Sequence, residues 1–130
     1  MPETVYGPPP NAFDRSNAVQ IAQLERDLVD TRKDLAVAKD QRKQTLLENQ
    51  IKQAEAQQKI LFDQTSVADK TTPFNRAKVK ELVEAERKAV DDHIQEVNKR
   101  VNAKGAPGVS TSVAPFEARL DELDDLLKVL

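Results

Sequence analysis

The strongest constraint on this chain is a long stretch, residues 16–63, that contains neither proline nor glycine. Its residues are mainly Ala, Leu, Gln, Glu, Lys and Arg, which are all good helix formers. Asp14 or Ser16 can accept a hydrogen bond from the free N–H groups of a first turn. The stretch therefore predicts one uninterrupted helix over about residues 16–63, which would be roughly 70 Å long at 1.5 Å per residue.

The apolar residues of this predicted helix form two seams with different registers. The first has the three-four spacing of a coiled coil, apart from the polar Thr31. It consists of Ile21, Leu24, Leu28, Leu35 and Ala38. The second is offset by two positions and consists of Leu47, Ile51, Ala54 and Leu61. We therefore expect the helix to change its packing partner or its packed face near residues 39–46.

A second long helix is predicted over about residues 73–103. Thr72 and Pro73 suit the start of a helix, and Gly105 followed by Pro107 suits its end. Its stripe is almost entirely β-branched, which favours packing against another helix over local propensity. The stripe consists of Val79, Val83, Val90, Ile94, Val97 and Val101. The two long helices are thus predicted to form an elongated helical hairpin or coiled coil over residues 16–104.

The end of the chain predicts a short amphipathic helix over residues 114–130, after a linker at residues 105–113. Its apolar stripe consists of Phe116, Leu120, Leu123, Leu127 and Leu130. A helix this short cannot bury such a stripe against itself, so we expect the stripe to lie on the hairpin, on another copy or on a foreign protein. Its opposite face is acidic, so we expect that face to remain solvated or to meet a basic patch, for which the nearest candidates along the sequence are Arg76, Lys78 and Lys80.

The first fifteen residues, which begin "MPETVYGPPPNAF", differ from the rest because they contain three consecutive prolines. Proline fixes its own φ angle and pushes the preceding residue towards an extended conformation. We interpret residues 1–15 as an extended arm that docks in a groove of another protein or another copy. The contact residues of this arm would be Tyr6, Pro8, Pro9, Pro10 and Phe13. The alternative interpretation is a disordered tail that only precedes the helix.

Composition limits both the core and the partners. Of 130 residues, 38% are hydrophobic and 32% are charged, which leaves one copy little material for a core. The 20 Lys and Arg nearly balance the 22 Asp and Glu, which disfavours nucleic acid and anionic membranes as partners. We therefore expect protein partners, in a homo-oligomer or a larger assembly. The N-terminus lacks the basic and apolar segments of a signal peptide, which predicts a cytoplasmic or virion location.

Residues that could carry catalysis or bind a metal are sparse. The chain has no cysteine, and its three glycines are too dispersed for a phosphate-binding loop. The single histidine, His93, follows Asp92, but neighbouring residues of a helix point about 100° apart, and a metal site usually needs three or four converging ligands. We interpret His93 as a solvated surface residue. The sequence therefore predicts no enzyme activity, no cofactor, no metal and no small-molecule substrate.

Together these patterns predict an all-α chain, namely an elongated helical hairpin with an N-terminal arm and a short C-terminal amphipathic helix. Helical proteins with extended arms occur among virion components and also among adaptors and chaperones. The first hypothesis is a non-enzymatic structural or assembly protein, such as a bacteriophage virion component, that acts through helix–helix and arm-in-groove contacts. The alternative is a soluble cytoplasmic adaptor or chaperone that captures one protein through the C-terminal leucine stripe.

Overall fold

A computed structural model of the chain describes residues 11–68, 74–104 and 113–130. These residues are 88% helical and contain no strand, so the predicted all-α class is confirmed. The helices are α1 (Ala12–Val37), α2 (Gln41–Asp63), α3 (Arg76–Lys104) and α4 (Ala114–Val129). None of the helices in these ranges is both long and apolar enough to cross a membrane.

The predicted single helix over residues 16–63 is wrong, because the chain breaks between Val37 and Gln41. Ala38 has φ −72° and ψ 132°, and Asp40 has φ −85° and ψ 127°. Both are extended conformations that any residue adopts, so the break requires no proline or glycine. The side chain of Asp40 then accepts a hydrogen bond from the backbone N–H of Arg42 at 3.1 Å and caps α2.

After this break α2 runs back along α1 in the opposite direction. Asn17 Nδ2 donates a hydrogen bond to the carbonyl oxygen of Leu61 at 3.0 Å, and Gln58 Nε2 donates to that of Ile21 at 3.1 Å. Because Asn17 precedes Ile21 while Leu61 follows Gln58, these two contacts require an antiparallel pair. The two apolar seams predicted for one helix therefore belong to the facing sides of a two-helix hairpin.

The first helix begins earlier than predicted, which shortens the proposed arm. The side chain of Asn11 accepts a hydrogen bond from the backbone N–H of Asp14 at 2.7 Å, so Asn11 is the N-cap. Ala12 opens the helix, which places Asp14 and Ser16 inside it. The predicted boundary of the arm at residue 15 is therefore wrong.

The third helix begins at Arg76, where the side chain of Asn75 accepts a hydrogen bond from the N–H of Lys78 at 3.2 Å. The predicted cap, Thr72–Pro73, lies outside the described residues. Helix α3 is antiparallel to α1, because Arg15 pairs with Glu86 and Glu25 pairs with Arg76.

The last helix begins at the predicted residue, Ala114, and ends at Val129, one residue before the predicted end, and Pro115 lies in its first turn. Helix α4 is antiparallel to α3, because Arg87 pairs with Asp124 and the ring of His93 contacts that of Phe116. The predicted linker lies outside the described residues except for Val113, which is buried.

Helix α1 is the centre of the bundle and packs against the other three helices. Its small residues Ala18 and Ala22 are fully buried and allow close approach. The core they join consists of Val19, Ile21, Leu61, Phe62, Val79, Leu82, Val83, Leu123 and Leu126. The chain therefore builds a common core of its own, which corrects the expectation that one copy has too little material for it.

Helix α2 lies at the edge of this bundle. It packs along α1, and only its last turn, with Leu61 and Phe62, reaches the common core. Farther from that core, between residues 26 and 57, the buried side chains of the α1–α2 hairpin are Leu28 and Leu47. Most of the surface of α2 that faces away from α1 is therefore open to solvent.

Candidate interaction site

Most of the predicted C-terminal stripe packs in or against the common core of the same chain. Leu123 is fully buried in the common core, and Leu127 and Leu130 pack against that core. Leu126, which lies outside the predicted stripe, is also fully buried. Leu123 and Leu126 are therefore enclosed by the chain's own bundle, whereas Leu127 and Leu130 are half-buried.

The remaining stripe residues, Phe116 and Leu120, are half-buried. The ring of Phe116 meets the ring of His93 edge-on, with centroids 4.6 Å apart and an interplanar angle of 64°. His93 is otherwise exposed. This contact attaches the start of α4 to the second half of α3.

The acidic outer face of α4 does not meet the basic residues that we expected. Asp124 pairs with Arg87 at 2.5 Å, and the hydrogen bond from Arg87 lowers the pKa of the Asp124 carboxyl below its ordinary value. Arg76 instead pairs with the buried Glu25, and Lys78 with Glu81. Asp121 and Asp125 of this face are exposed, and the basic residue that Asp124 meets is Arg87, not one of the candidates Arg76, Lys78 and Lys80, because Arg87 lies directly beside α4 when α3 and α4 are antiparallel.

Most of the predicted arm lies outside the described residues, namely Tyr6, Pro8, Pro9 and Pro10. Phe13 is described and belongs to the first turn of α1, where its side chain is 56% exposed. Its neighbour Asp14 is buried and accepts a hydrogen bond from the backbone N–H of Ser66 at 3.0 Å. Phe13 therefore projects from the end of the bundle at which α2 gives way to the connection towards α3.

A surface that the sequence analysis missed runs along α2. Successive residues of a helix are rotated by about 100°, so α2 has one side towards α1 and two sides towards solvent. The first of these solvent sides carries all the charged residues between positions 48 and 63, namely Glu48, Lys52, Glu55, Lys59 and Asp63. The second, which we call the uncharged face, consists of Leu46, Asn49, Gln50, Gln53, Ala56, Gln57, Ile60 and Gln64.

Every residue of the uncharged face is exposed, and its two largest apolar side chains are far from buried. Leu46 is 57% exposed and Ile60 is 51% exposed. In contrast, the charged side of α2 satisfies part of its charge within the chain, because Lys59 pairs with Asp63 at 2.8 Å and Glu55 pairs with Arg32 at 3.2 Å. The distribution of charge thus separates a solvated side of α2 from a side suited to packing.

A groove lies beside the uncharged face. Its volume is ≈ 280 Å³, and it is lined by Gln20, Gln23, Leu24, Asp27, Gln57 and Leu61. Gln57 belongs to both surfaces, so the groove borders the uncharged face, and Asp27 is the one charged residue of its lining. Three of the six lining side chains are amides, which offer both donors and acceptors of hydrogen bonds.

The described residues contain no cluster of histidine and carboxylate side chains that could hold a metal ion.

The signal for the uncharged face was nevertheless present in the sequence. Between Glu48 and Asp63 the charged residues recur every three or four positions, and this spacing confines them to one side of a helix. Their confinement leaves the neighbouring side without charge in a chain that is 32% charged.

No protein-family model matches this chain, and neither the curated proteins nor the solved structures contain a significant match.

Proposed function

We propose that this chain is a non-enzymatic structural or assembly protein whose main contact surface is the uncharged face of α2. The observation that carries the proposal is the sorting of exposed residues on an edge helix, with charge on one solvent side and none on the other. Exposed helix faces are ordinarily polar and charged. An exposed face of amides and aliphatic side chains is instead suited to helix–helix packing.

The proposed mode of action is the docking of a helix along α2. Leu46 and Ile60 would lose water on docking, and the amides between them would exchange hydrogen bonds with the partner. The N-terminal arm, with Tyr6, Pro8–Pro10 and Phe13, is a second proposed contact, because Phe13 is exposed at the end of the bundle. The same contacts would serve a virion component and a cellular scaffold.

The adaptor hypothesis has less support. Capture of a partner through the C-terminal stripe requires Leu123, Leu127 and Leu130 to be accessible, and all three pack in or against the chain's own core. That function would need α4 to leave the bundle, which would expose a large part of the core.

The test inserts one charge into the uncharged face of the full chain. Gln53→Lys places an ammonium at the centre of that face, and Thr45→Lys adds the same charge on the charged side of α2. We expect the parent and Thr45→Lys to form a stoichiometric complex, with themselves or with a co-purifying protein, and we expect Gln53→Lys to lose it. Sedimentation velocity and native co-purification measure the complex.

Two results would contradict the proposed function. One is a parent chain that forms no complex with itself or with another protein. The other is a complex that Gln53→Lys and Thr45→Lys affect equally, since the side of α2 would then be irrelevant. Circular dichroism checks that both variants keep their helices, as expected for lysine at exposed helix positions.

A further inference from the structure

Between Leu46 and Ile60, the uncharged face of α2 carries residues of matching type at positions equally far from Gln53, apart from Gln50 and Ala56. Leu46 and Ile60 each lie seven residues from Gln53, one before it and one after it. Asn49 and Gln57 each lie four residues from Gln53, and both carry amides. A face with this pattern is complementary to a second copy of itself turned end to end.

We infer that the occupant of the uncharged face is a second copy of the same chain, with the two α2 helices antiparallel and a two-fold axis at Gln53. This inference rests on the proposed function and identifies its partner. In a two-fold interface the same surface patch is used by both subunits. Here Leu46 of each copy would lie against Ile60 of the other, Asn49 against Gln57, and Gln50 against Ala56.

The charges next to the face favour this orientation. Arg42 lies on the same side of α2, one turn before the uncharged face begins, is exposed, and makes no ion pair within the described residues. In the antiparallel arrangement Arg42 lies opposite Gln64 and beside the half-exposed Asp63 of the second copy, which gives an attractive contact at each end. In a parallel arrangement Arg42 would lie beside Arg42 of the other copy, and like charges would repel.

The chemistry of the face predicts a reversible dimer. Four aliphatic side chains, Leu46 and Ile60 from each copy, provide the apolar contact, and Ala56 allows the helices to approach. The amide layers between them fix the register and lower stability relative to an aliphatic seam. The dimer should therefore dissociate on dilution, and its register should be unique.

Introduced cysteines test the register directly, because the chain has no cysteine of its own. Leu46→Cys and Ile60→Cys are prepared separately with different tags and are oxidised mildly, alone and as a mixture. We expect a disulfide-linked heterodimer in the mixture and none in either variant alone. Identical positions would be about 21 Å apart along the helix axis, far beyond the roughly 4.4–6.8 Å between Cα atoms that a disulfide requires.

Two further variants complete the experiment. Gln53→Cys lies on the proposed axis and should form a linked homodimer without a second variant. Thr45→Cys lies on the charged side of α2 and serves as the matched control, which should remain unlinked alone and in each mixture.

Three results would overturn the antiparallel dimer. The first is linkage of Leu46→Cys to itself, which indicates a parallel pair. The second is equal linkage of Thr45→Cys, which indicates random collision. The third is a parent chain that is monomeric in sedimentation but binds a different protein through Gln53. In that third case the proposed function stands and only the second copy is wrong, whereas a chain with no complex at all contradicts both.

Discussion

Helices α2 and α4 both flank α1, yet they place their apolar residues very differently. In α4, Leu123 and Leu126 are fully buried against α1 and α3. In α2, Leu46 and Ile60 stay more than half exposed on a face that no described residue covers. The outer face of α4 is acidic and is partly neutralised by Arg87, whereas the uncharged face of α2 carries no charge between Leu46 and Gln64.

This difference shows why hydrophobicity alone does not identify the exposed surface of a chain. The most apolar segment of a chain is the one that gains most from burial in the chain's own core, because burial of aliphatic side chains is the main favourable term in folding. A surface that meets a partner only part of the time must remain soluble without one. Amides with a few aliphatic side chains can stay in water and can also pack against a partner, so the missing charge is the feature on which the proposed interface rests.

The largest expected effect is on folding and concerns α4. Leu126→Ala removes a fully buried side chain from the common core and should lower the free energy of unfolding by about 2–5 kcal/mol. Leu46→Ala removes a similar side chain from the exposed face of α2 and should cost the monomer less than about 0.5 kcal/mol. Denaturant unfolding of both variants, followed by circular dichroism at low protein concentration, measures the difference.

The comparison between α2 and α4 fails if these two variants are equally stable. Equal losses would mean that Leu46 is buried in the folded monomer. A negligible loss in Leu126→Ala would mean that α4 is not part of the core, and the C-terminal stripe would again be a candidate docking surface.

A smaller effect is expected from a buried carboxylate of α1 that contacts α2 and α3. Glu25 is buried, pairs with Arg32 at 3.0 Å and Arg76 at 3.2 Å, and accepts a hydrogen bond from Gln58 at 3.1 Å. Glu25→Ala should lower the free energy of unfolding by about 1–3 kcal/mol, because the buried Gln58 then loses one of its two hydrogen-bond acceptors. Both arginines are partly exposed and can regain water, which limits the loss.

Glu55→Ala is the matched control for this network. Glu55 binds the same Arg32 at 3.2 Å but is half-exposed, so its loss should cost only about 0–1 kcal/mol. If the two variants lose equal stability, the hairpin is held by surface charge and the buried network has no special role.

The sequence allowed the two seams of the α1–α2 hairpin to be predicted, together with the position at which they change. It did not allow the reversal itself to be predicted. Ala38 and Asp40 turn the chain through extended conformations with negative φ angles, which leave no proline or glycine as a marker. In retrospect, Asp40 was the available signal, because it is an N-cap residue in front of a new register.

The contacts that fix the register of the bundle were beyond prediction from the sequence. Asn17 bonds to a backbone carbonyl forty-four positions away, and the buried Asp14 bonds to Ser66 fifty-two positions away. Each pair depends on where two distant segments meet, so no local pattern reveals it. Asp14 looked like a cap for the first helix because its side chain is a favoured cap, but Asn11 takes that position.

A still smaller effect on stability is expected from Gln53→Lys, the variant that should abolish association. Position 53 is exposed in the single chain, and lysine and glutamine have similar helix propensities. The free energy of unfolding of the monomer should therefore change by less than about 0.5 kcal/mol. A larger loss at protein concentrations below those of association would show that Gln53 packs within its own chain.

The smallest expected effect concerns the outer face of α4 and its dependence on pH. The hydrogen bond from Arg87 lowers the pKa of Asp124 below its ordinary value of 3.8, and burial opposes this shift. Because the folded chain holds the charged carboxylate better than the unfolded chain does, the contribution to stability is present above about pH 4. It is lost as the pH falls through the lower pKa of the folded state.

Asp124→Asn should therefore unfold with a weaker dependence on pH in this acid range than the parent. Arg87→Ala should produce the same change, and the double variant should add nothing, since both substitutions remove one interaction. Both side chains are partly exposed, so solvent screening keeps the effect small. Urea unfolding at a series of acid pH values measures it, and an Asp124→Asn variant with the pH dependence of the parent would show that the Arg87 contact does not persist in solution.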